Sequence, residues 1–410
     1  MTTPTTTWPM VRLGDIGQSI IGLTYSPEEV KRSGTLVLRS SNIQDGRLTF
    51  EDNVYVDSNI PDRIRIRGND ILICVRNGSR RLIGKSVMLD RRVVGQTFGA
   101  FMAVFRSDAN PFLQYFFQSD EFKRQIDEHL GATINQITNG SLNSFVVALP
   151  GQREQRAITD RLQDIDQLIA SLEHFITKKQ AIKQGMMQEL LTGRTRLPGF
   201  ADPWRSVRLR DMGSTYGGLT GKDKDDFGTG SASYVTFLEV MASARLLGQR
   251  LERVSVRPGE RQNQVQRDDI LFNGSSETPE EVALAAVVDY DPAPRTYLNS
   301  FCFGYRLADA RIVDPLYLAY FFRSGGGRRL IASLAQGATR YNISKTKLLE
   351  LSPSLPRLDE QRAIVGVLRT VEDEIEMMDA RLQKARDIKQ GMMQELLTGR
   401  TRLPVQEAVA

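Results

Sequence analysis

Two stretches of the chain carry apolar residues at alternating intervals of four and three. Ile158, Leu162, Ile165, Ile169, Leu172 and Ile176 form the first, and Ile364, Leu368, Val371, Ile375, Met378 and Leu382 repeat its spacing. This is the seam of a coiled coil. It continues through Ile182 or Ile388 to Met186 or Met392 and Leu190 or Leu396. Gly193 and Gly399 stand where each helix should stop, with Pro198 and Pro404 beyond them. A helix of about forty residues spans roughly 60 Å at 1.5 Å per residue. It cannot hide such a stripe alone, so the two copies are expected to pair, antiparallel.

Elsewhere the periods are shorter. Segments 35–39, 70–76 and 98–106 read as strands bounded by Gly, Asn and Asp. Helices are expected at 111–117 and 123–130, and again at 315–322 and 328–334. The predicted class is α+β: two mixed α/β domains joined by two long helices in an antiparallel coiled coil, an internal duplication with a pseudo-twofold plan.

The duplication is explicit, because residues 182–198 and 388–404 are identical, both reading IKQGMMQELLTGRTRLP. In the same register Leu149, Pro150, Glu154, Gln155, Arg156, Ala157 and Ile158 recur as Leu355, Pro356, Glu360, Gln361, Arg362, Ala363 and Ile364. The segments between are distant relatives: Val11, Arg12 and Leu13 return as Val207, Arg208 and Leu209, and Asp70, Ile71 and Leu72 as Asp269, Ile270 and Leu271. This divides the chain into a variable region (1–148), a repeated helix (149–198), a second variable region (199–354) and a second repeated helix with its tail (355–410). Identical segments beside diverged ones imply two copies of one partner surface. Met186, Met187, Leu190 and Leu191, with Met392, Met393, Leu396 and Leu397, are assigned to it. Gly185 and Gly391 cost each helix about 1 kcal/mol relative to alanine, as a tolerated kink or for close approach of another backbone.

Composition narrows the chemistry. No apolar run approaches a membrane span and no charged-then-apolar signal segment opens the chain, so a cytoplasmic location is expected. Cys74 and Cys302 sit in apolar runs and are expected as buried thiols. With only His129 and His174 beside them, they make no convincing zinc site. Asn110, Pro111 and Phe112, and Asp314, Pro315 and Tyr317, resemble an amino-methyltransferase motif but lack its second proline; helix capping explains them. Gly221 and Lys222 lack the first glycine and the Ser or Thr of a phosphate loop. Glu29 and Lys31 lack the upstream acid of a nuclease motif. No catalytic set emerges.

What remains suits DNA, although the net charge of +5 only permits it. The stretch 76–85 joins two strand-like runs and offers Arg76, Asn77, Ser79, Arg80, Arg81 and Lys85. Arginine can pair bidentately with guanine and Asn with adenine, while Ser suits phosphates. A solvated basic hairpin is the competing reading. The corresponding stretch of the second region, with Asn273, Ser275, Ser276 and Glu277, is polar and acidic, so the halves would not read the same bases. Glu277 could accept from cytosine or cap a helix begun at Pro279. Thr133, Asn135 and Gln136 in the first region, and Thr339, Arg340, Tyr341 and Asn342 in the second, occupy matched loops before the repeated helices. Packing against the helix root competes with a reading role there. Arg39, Ser40 and Asn42, and Lys222, Lys224 and Thr236, complete the candidates.

This arrangement resembles the specificity subunit of Type I restriction–modification systems. The resemblance is carried by the openings at 11–17 and 207–213, the Leu-Pro and Glu-Gln-Arg-Ala-Ile helix entries, the Leu-Leu-Thr-Gly-Arg helix ends and the stretch 273–282, and it spans nearly the whole chain. It implies a non-catalytic DNA reader with two target recognition domains, each reading half of a bipartite site, and helices that set the spacer. It also implies two methyltransferase subunits docked on the repeats, which bind S-adenosylmethionine and methylate adenine N6, and two ATP-driven motor-nuclease subunits. S-adenosylmethionine, ATP and Mg are then expected on the partners and no cofactor on this chain. The alternatives are a self-contained adenine methyltransferase, which would bind S-adenosylmethionine unaided, and a coiled-coil scaffold without a DNA role. Four residues inserted into a repeated helix should lengthen it by about 6 Å, or nearly 2 base pairs. Sequencing of the methylated motif should show a longer spacer, and an unchanged spacer would refute the ruler.

Overall fold

The computed structural model describes residues 8–130, 135–309, 311–334 and 341–404. The chain forms two compact units, one of residues 1–173 and 380–410 and one of residues 174–379. Each unit holds one variable region and part of both long helices.

In the first unit an antiparallel sheet runs in the order Gln18–Ile21, Met102–Arg106, Ile71–Cys74, Ser86–Met88. Every residue of Ile71–Cys74 is buried, which explains its unbroken apolar run. Alternate side chains serve two cores. Ile71, Ile73 and Phe105 pack with Phe112 and Phe122 from the helices Asn110–Phe116 and Asp120–His129 and with Phe117 between them. Leu72, Cys74 and Val104 face a second sheet, in which Thr97–Phe98 runs parallel to Thr35–Leu38.

The second unit has the matching sheet, ordered Gly213–Gly217, Cys302–Leu307, Ile270–Asn273, Ala285–Val288, Arg245–Leu246, under the helices Pro315–Arg323 and Gly325–Ala332. Each of the two sheets carries its own bidentate ion pair, at corresponding positions. Arg106 binds Asp70 at 2.8 and 2.7 Å, and Arg306 binds Asp269 at 2.7 and 2.6 Å. Both cysteines are buried free thiols, pushed up by burial to about 11 for Cys74 and about 12 for Cys302. Asp314 caps its helix as expected, accepting from Leu316 and Tyr317 N–H. Asn110 does not; its amide is buried and donates to the carbonyls of Asn69 and Phe105. Among the described residues no helix is long and apolar enough to cross a membrane.

The repeated segments form helices Gln152–Leu190 and Leu358–Leu396, 39 residues each. Gly193 and Gly399 follow them at φ of 71° and 69°, the left-handed region that glycine enters without penalty. Within each unit the helix segments run antiparallel. Arg386 meets Glu173 and Lys389 meets Asp166 in the first unit, both at 2.8 Å. In the second, Lys179 meets Glu374 at 2.6 Å and Lys183 meets Glu372.

The seam is covered in a different way from a uniform coiled coil. Ile169, Ile176, Ile375 and Leu382 are buried, and Ile165, Leu172, Val371 and Met378 half-buried. Ile158 and Leu162, however, belong to the core of the first variable region, and Ile364 and Leu368 to that of the second. Ile182 and Ile388 are 42% and 44% exposed, so the seam does not run through them. The assigned docking patch is also corrected. Met187, Leu190 and Leu191 are buried in the second domain's core with Met186 half-buried against it, and Met393, Leu396 and Leu397 are buried in the first domain's core with Met392 against it. Their burial leaves little surface for a partner. A Cβ at Gly185 or Gly391 would meet nothing within 4 Å among the described residues, so no backbone approaches either glycine there.

Two further contacts recur in both units. The Tyr115 hydroxyl donates to Asp166 at 3.1 Å, with Lys389 over the ring at 5.6 Å. The Tyr320 hydroxyl donates to Glu372 at 2.5 Å, with Lys183 over the ring at 5.8 Å. Burial, then the neighbouring carboxylate, raises the pKa of both phenols. At the helix entries Arg402 grips Glu154 at 2.5 and 2.8 Å while Trp8 Nε1 donates to the same carboxylate at 3.0 Å. Arg196 grips Glu360 at 2.5 and 2.7 Å and lies over Trp204 at 5.7 Å.

Tyr320→Phe removes a donor from the buried Glu372 and should cost about 1–3 kcal/mol in denaturant unfolding. Gly185→Ala should add up to about 1 kcal/mol by the same measurement. A loss with Gly185→Ala would mean that something does pack on that face.

Candidate nucleic-acid interface

In the first unit the residues singled out from sequence converge on one face. The strand Ile71–Cys74 leads directly into Arg76, whose backbone bridges Gln136. Ile137 N–H donates to the Val75 carbonyl at 2.8 Å, and the Asn135 amide reaches Gly78 O at 3.5 Å. These bonds join the 76–85 loop to the loop before the repeated helix. Asn77 extends the face, its amide donating to Ser40 Oγ at 3.3 Å and its carbonyl accepting Ser79 N–H at 3.0 Å. Arg76 and Arg81 are exposed and Lys85 is half-buried. Arg80 is exposed too, but its guanidinium caps the C-terminal end of Asp120–His129, donating to the carbonyls of Asp127 and Leu130 at 3.3 and 3.4 Å. Arg39 pairs with Asp52 at 2.7 Å and lines a cavity of about 580 Å³ with Tyr25, Ser40 and Phe101.

In the second unit the same convergence is made by a strand pair. Ser275 and Ser276 lie opposite Asn342 and Tyr341, and Ile343 N–H donates to Gly274 O at 3.1 Å. The intervening loop is braced from below. Arg328 donates to the carbonyls of Val282, Ala283 and Pro279 at 2.5, 3.2 and 3.3 Å. Arg323 donates to four others, those of Ala285, Val240, Met241 and Ser243. Burial pushes the Arg323 guanidinium down to about 10 and lowers that of Arg328 as well. Glu277 is exposed at the loop tip, and residues 279–283 form turns, so no helix begins at Pro279 for it to cap.

Several candidates are structural instead. Asn42 is fully buried; its carbonyl accepts Arg39 N–H at 2.9 Å and its amide reaches Thr49 O at 3.0 Å. Asn273, also fully buried, donates to Ser275 O and Glu281 O and accepts from Leu284 N–H. Ser275 and Ser276 are buried, and Ser276 Oγ donates to Glu281 at 3.1 Å. Thr236 caps the helix Phe237–Ala242. The Lys222 side chain is 4% exposed and meets Glu260 at 2.7 Å, a pairing that, with Gln262, holds the Glu260 carboxyl down at about 2. Lys224 is exposed on a short turn. In each case but Lys224 a polar residue type that could contact DNA is satisfied internally, a distinction that composition does not reveal. Thr133, Thr339 and Arg340 lie outside the described residues.

Sequence reasoning passed over Phe101 and Phe301, which are 56% and 59% exposed at the entrance to the two loops. A signal was present: each phenylalanine stands five positions before the arginine of its own sheet's ion pair.

The family description "Type I restriction modification DNA specificity domain" matches residues 5–184 and again 201–386. The StySPI type I restriction enzyme specificity subunit of Salmonella potsdam is 25% identical over 382 residues, 87% of this chain and 80% of that protein. The EcoKI specificity subunit of Escherichia coli strain K12 is 27% identical over 186 residues, 43% of this chain and 39% of that protein. Two solved structures share the fold. One, from work on assembly and conformational transition of the type I R-M system, has a TM-score of 0.58 at 17% identity over 98% of this chain and 100% of its own. The other, a Type-I restriction-modification system S subunit from M. genitalium, has a TM-score of 0.57 at 13% identity over 97% and 98%.

Asn273→Ala should destabilise the protein by about 1–3 kcal/mol, since it strands buried backbone groups. Arg76→Ala and Arg81→Ala should stay within about 0.5 kcal/mol of the parent. Denaturant unfolding of the three variants separates scaffold from reading face.

Proposed function

The chain belongs to the Type I restriction modification DNA specificity family, and from that premise we propose that it acts as the non-catalytic reader of a restriction–modification enzyme. Each unit reads one half of a bipartite DNA site. The long helices fix the number of base pairs between the halves. Two methyltransferase subunits assemble on it, bringing S-adenosylmethionine, and two motor-nuclease subunits bring ATP and Mg for restriction.

The observation that carries this reading is the paired loops of each unit. Two segments far apart in sequence, 76–81 with 135–136 and 275–277 with 341–342, are joined by backbone hydrogen bonds just beyond the ends of the interior strands Ile71–Cys74 and Ile270–Asn273. Their exposed side chains differ, with arginine and asparagine in the first and Glu277 and Asn342 in the second. Similar scaffolds with dissimilar tips suit one duplex whose two half-sites differ in sequence. A reader needs no reacting group, only fixed donors and acceptors.

Methylome sequencing of the host with and without the gene should show loss of one bipartite N6-methyladenine motif. Retention of every such motif would refute the proposal. Arg76→Ala should change the bases required in one half-site and leave the other intact.

A further inference from the structure

We propose that Phe101 and Phe301 are the apolar base contacts of the two recognition units, each pressing its ring against base edges in the groove of its own half-site. The proposal rests on the DNA-reading role above and adds to it two residues and a chemistry that the polar loops cannot supply.

Each phenylalanine is held in the same way. Met102 N–H donates to Gly99 O at 2.9 Å and Cys302 N–H to Asn299 O at 3.0 Å, closing a tight turn in each unit with the phenylalanine at its third position. The carbonyl of Phe101 accepts the N–H groups of Val75 and Arg76 at 3.0 and 3.1 Å. That of Phe301 accepts Gly274 N–H at 2.7 Å. The backbone of each is thus tied to the first residues of the loop assigned to reading, while more than half of each residue stays exposed. A ring buried over less than half its surface contributes only part of the stabilisation that full burial would give the fold.

Its surroundings identify the occupant. The Arg76 guanidinium lies 5.1 Å above the Phe101 ring, presenting a cation and an aromatic edge side by side. Arginine reads guanine and phosphate, while an apolar ring reads the thymine methyl, which no hydrogen-bonding group can recognise. In the second unit Phe301 stands beside the Ser275 and Asn342 strand pair, so there too the ring adjoins a hydrogen-bonding tip. A duplex offers both kinds of surface within one groove.

The test uses the assembled complex of the full chain with its methyltransferase partner and duplexes carrying the motif found in the host. Phe101→Ala should weaken binding about tenfold, the loss expected from one buried ring. Single-base scanning, including uracil for thymine, should show the lost discrimination in one half-site only. Phe301→Ala should affect the other half-site alone, and Phe101→Leu should retain most of the discrimination. Unchanged affinity and base scans in both alanine variants would overturn the proposal. So would failure of the variants to assemble with the methyltransferase in the absence of DNA, which would place the rings at a protein interface. Absence of specific binding by the parent complex would instead overturn the DNA-reading role itself.

Discussion

The constraint on which the structure depends is that neither recognition domain has a complete core of its own. The first domain is closed by Ile158 and Leu162 from the start of one long helix and by Met393, Leu396 and Leu397 from the end of the other. The second is closed by Ile364 and Leu368 together with Met187, Leu190 and Leu191. Five apolar side chains at about 1.5–3 kcal/mol each are comparable to the whole stability of an ordinary domain. Docking of the helices and folding of the domains are therefore one event in each unit.

Polar contacts set the register of that docking more than its strength. The carboxylates of Glu154, Glu360 and Glu372 are nearly inaccessible, so removing them from water offsets much of what their arginine and lysine partners return. What they add is selectivity: a helix displaced by one turn would bury an unpaired charge. The tyrosine, carboxylate and lysine cluster and the tryptophan, glutamate and arginine cluster each occur once per unit, at corresponding places. Two helices with similar apolar faces are thereby held in one alignment.

Much of this was legible in the sequence, because long-range periodicity survives in it. The 39-residue helices, their glycine ends, the buried strands and the capping aspartate Asp314 follow from local pattern. The fate of the seam was not legible. Ile158 and Ile169 have the same heptad spacing, yet one enters a domain core and the other does not, and only tertiary packing distinguishes them. The candidate interface divides similarly. Arg76 and Asn77 emerge from a predicted strand end, whereas Asn42, Asn273 and Lys222 satisfy neighbours that are distant or unremarkable in sequence. Phe101 and Phe301 were hidden for the opposite reason, since a phenylalanine in an apolar run reads as core.

The brace on the candidate loop of the second unit has a consequence for how such a protein changes over time. Arg328 holds the loop through main-chain oxygens at three residues, 279, 282 and 283. A substitution exchanges side chains but leaves a carbonyl in place at every position. The loop tip can therefore exchange the groups it presents while its seat is kept, so new specificities can be tried without a new scaffold.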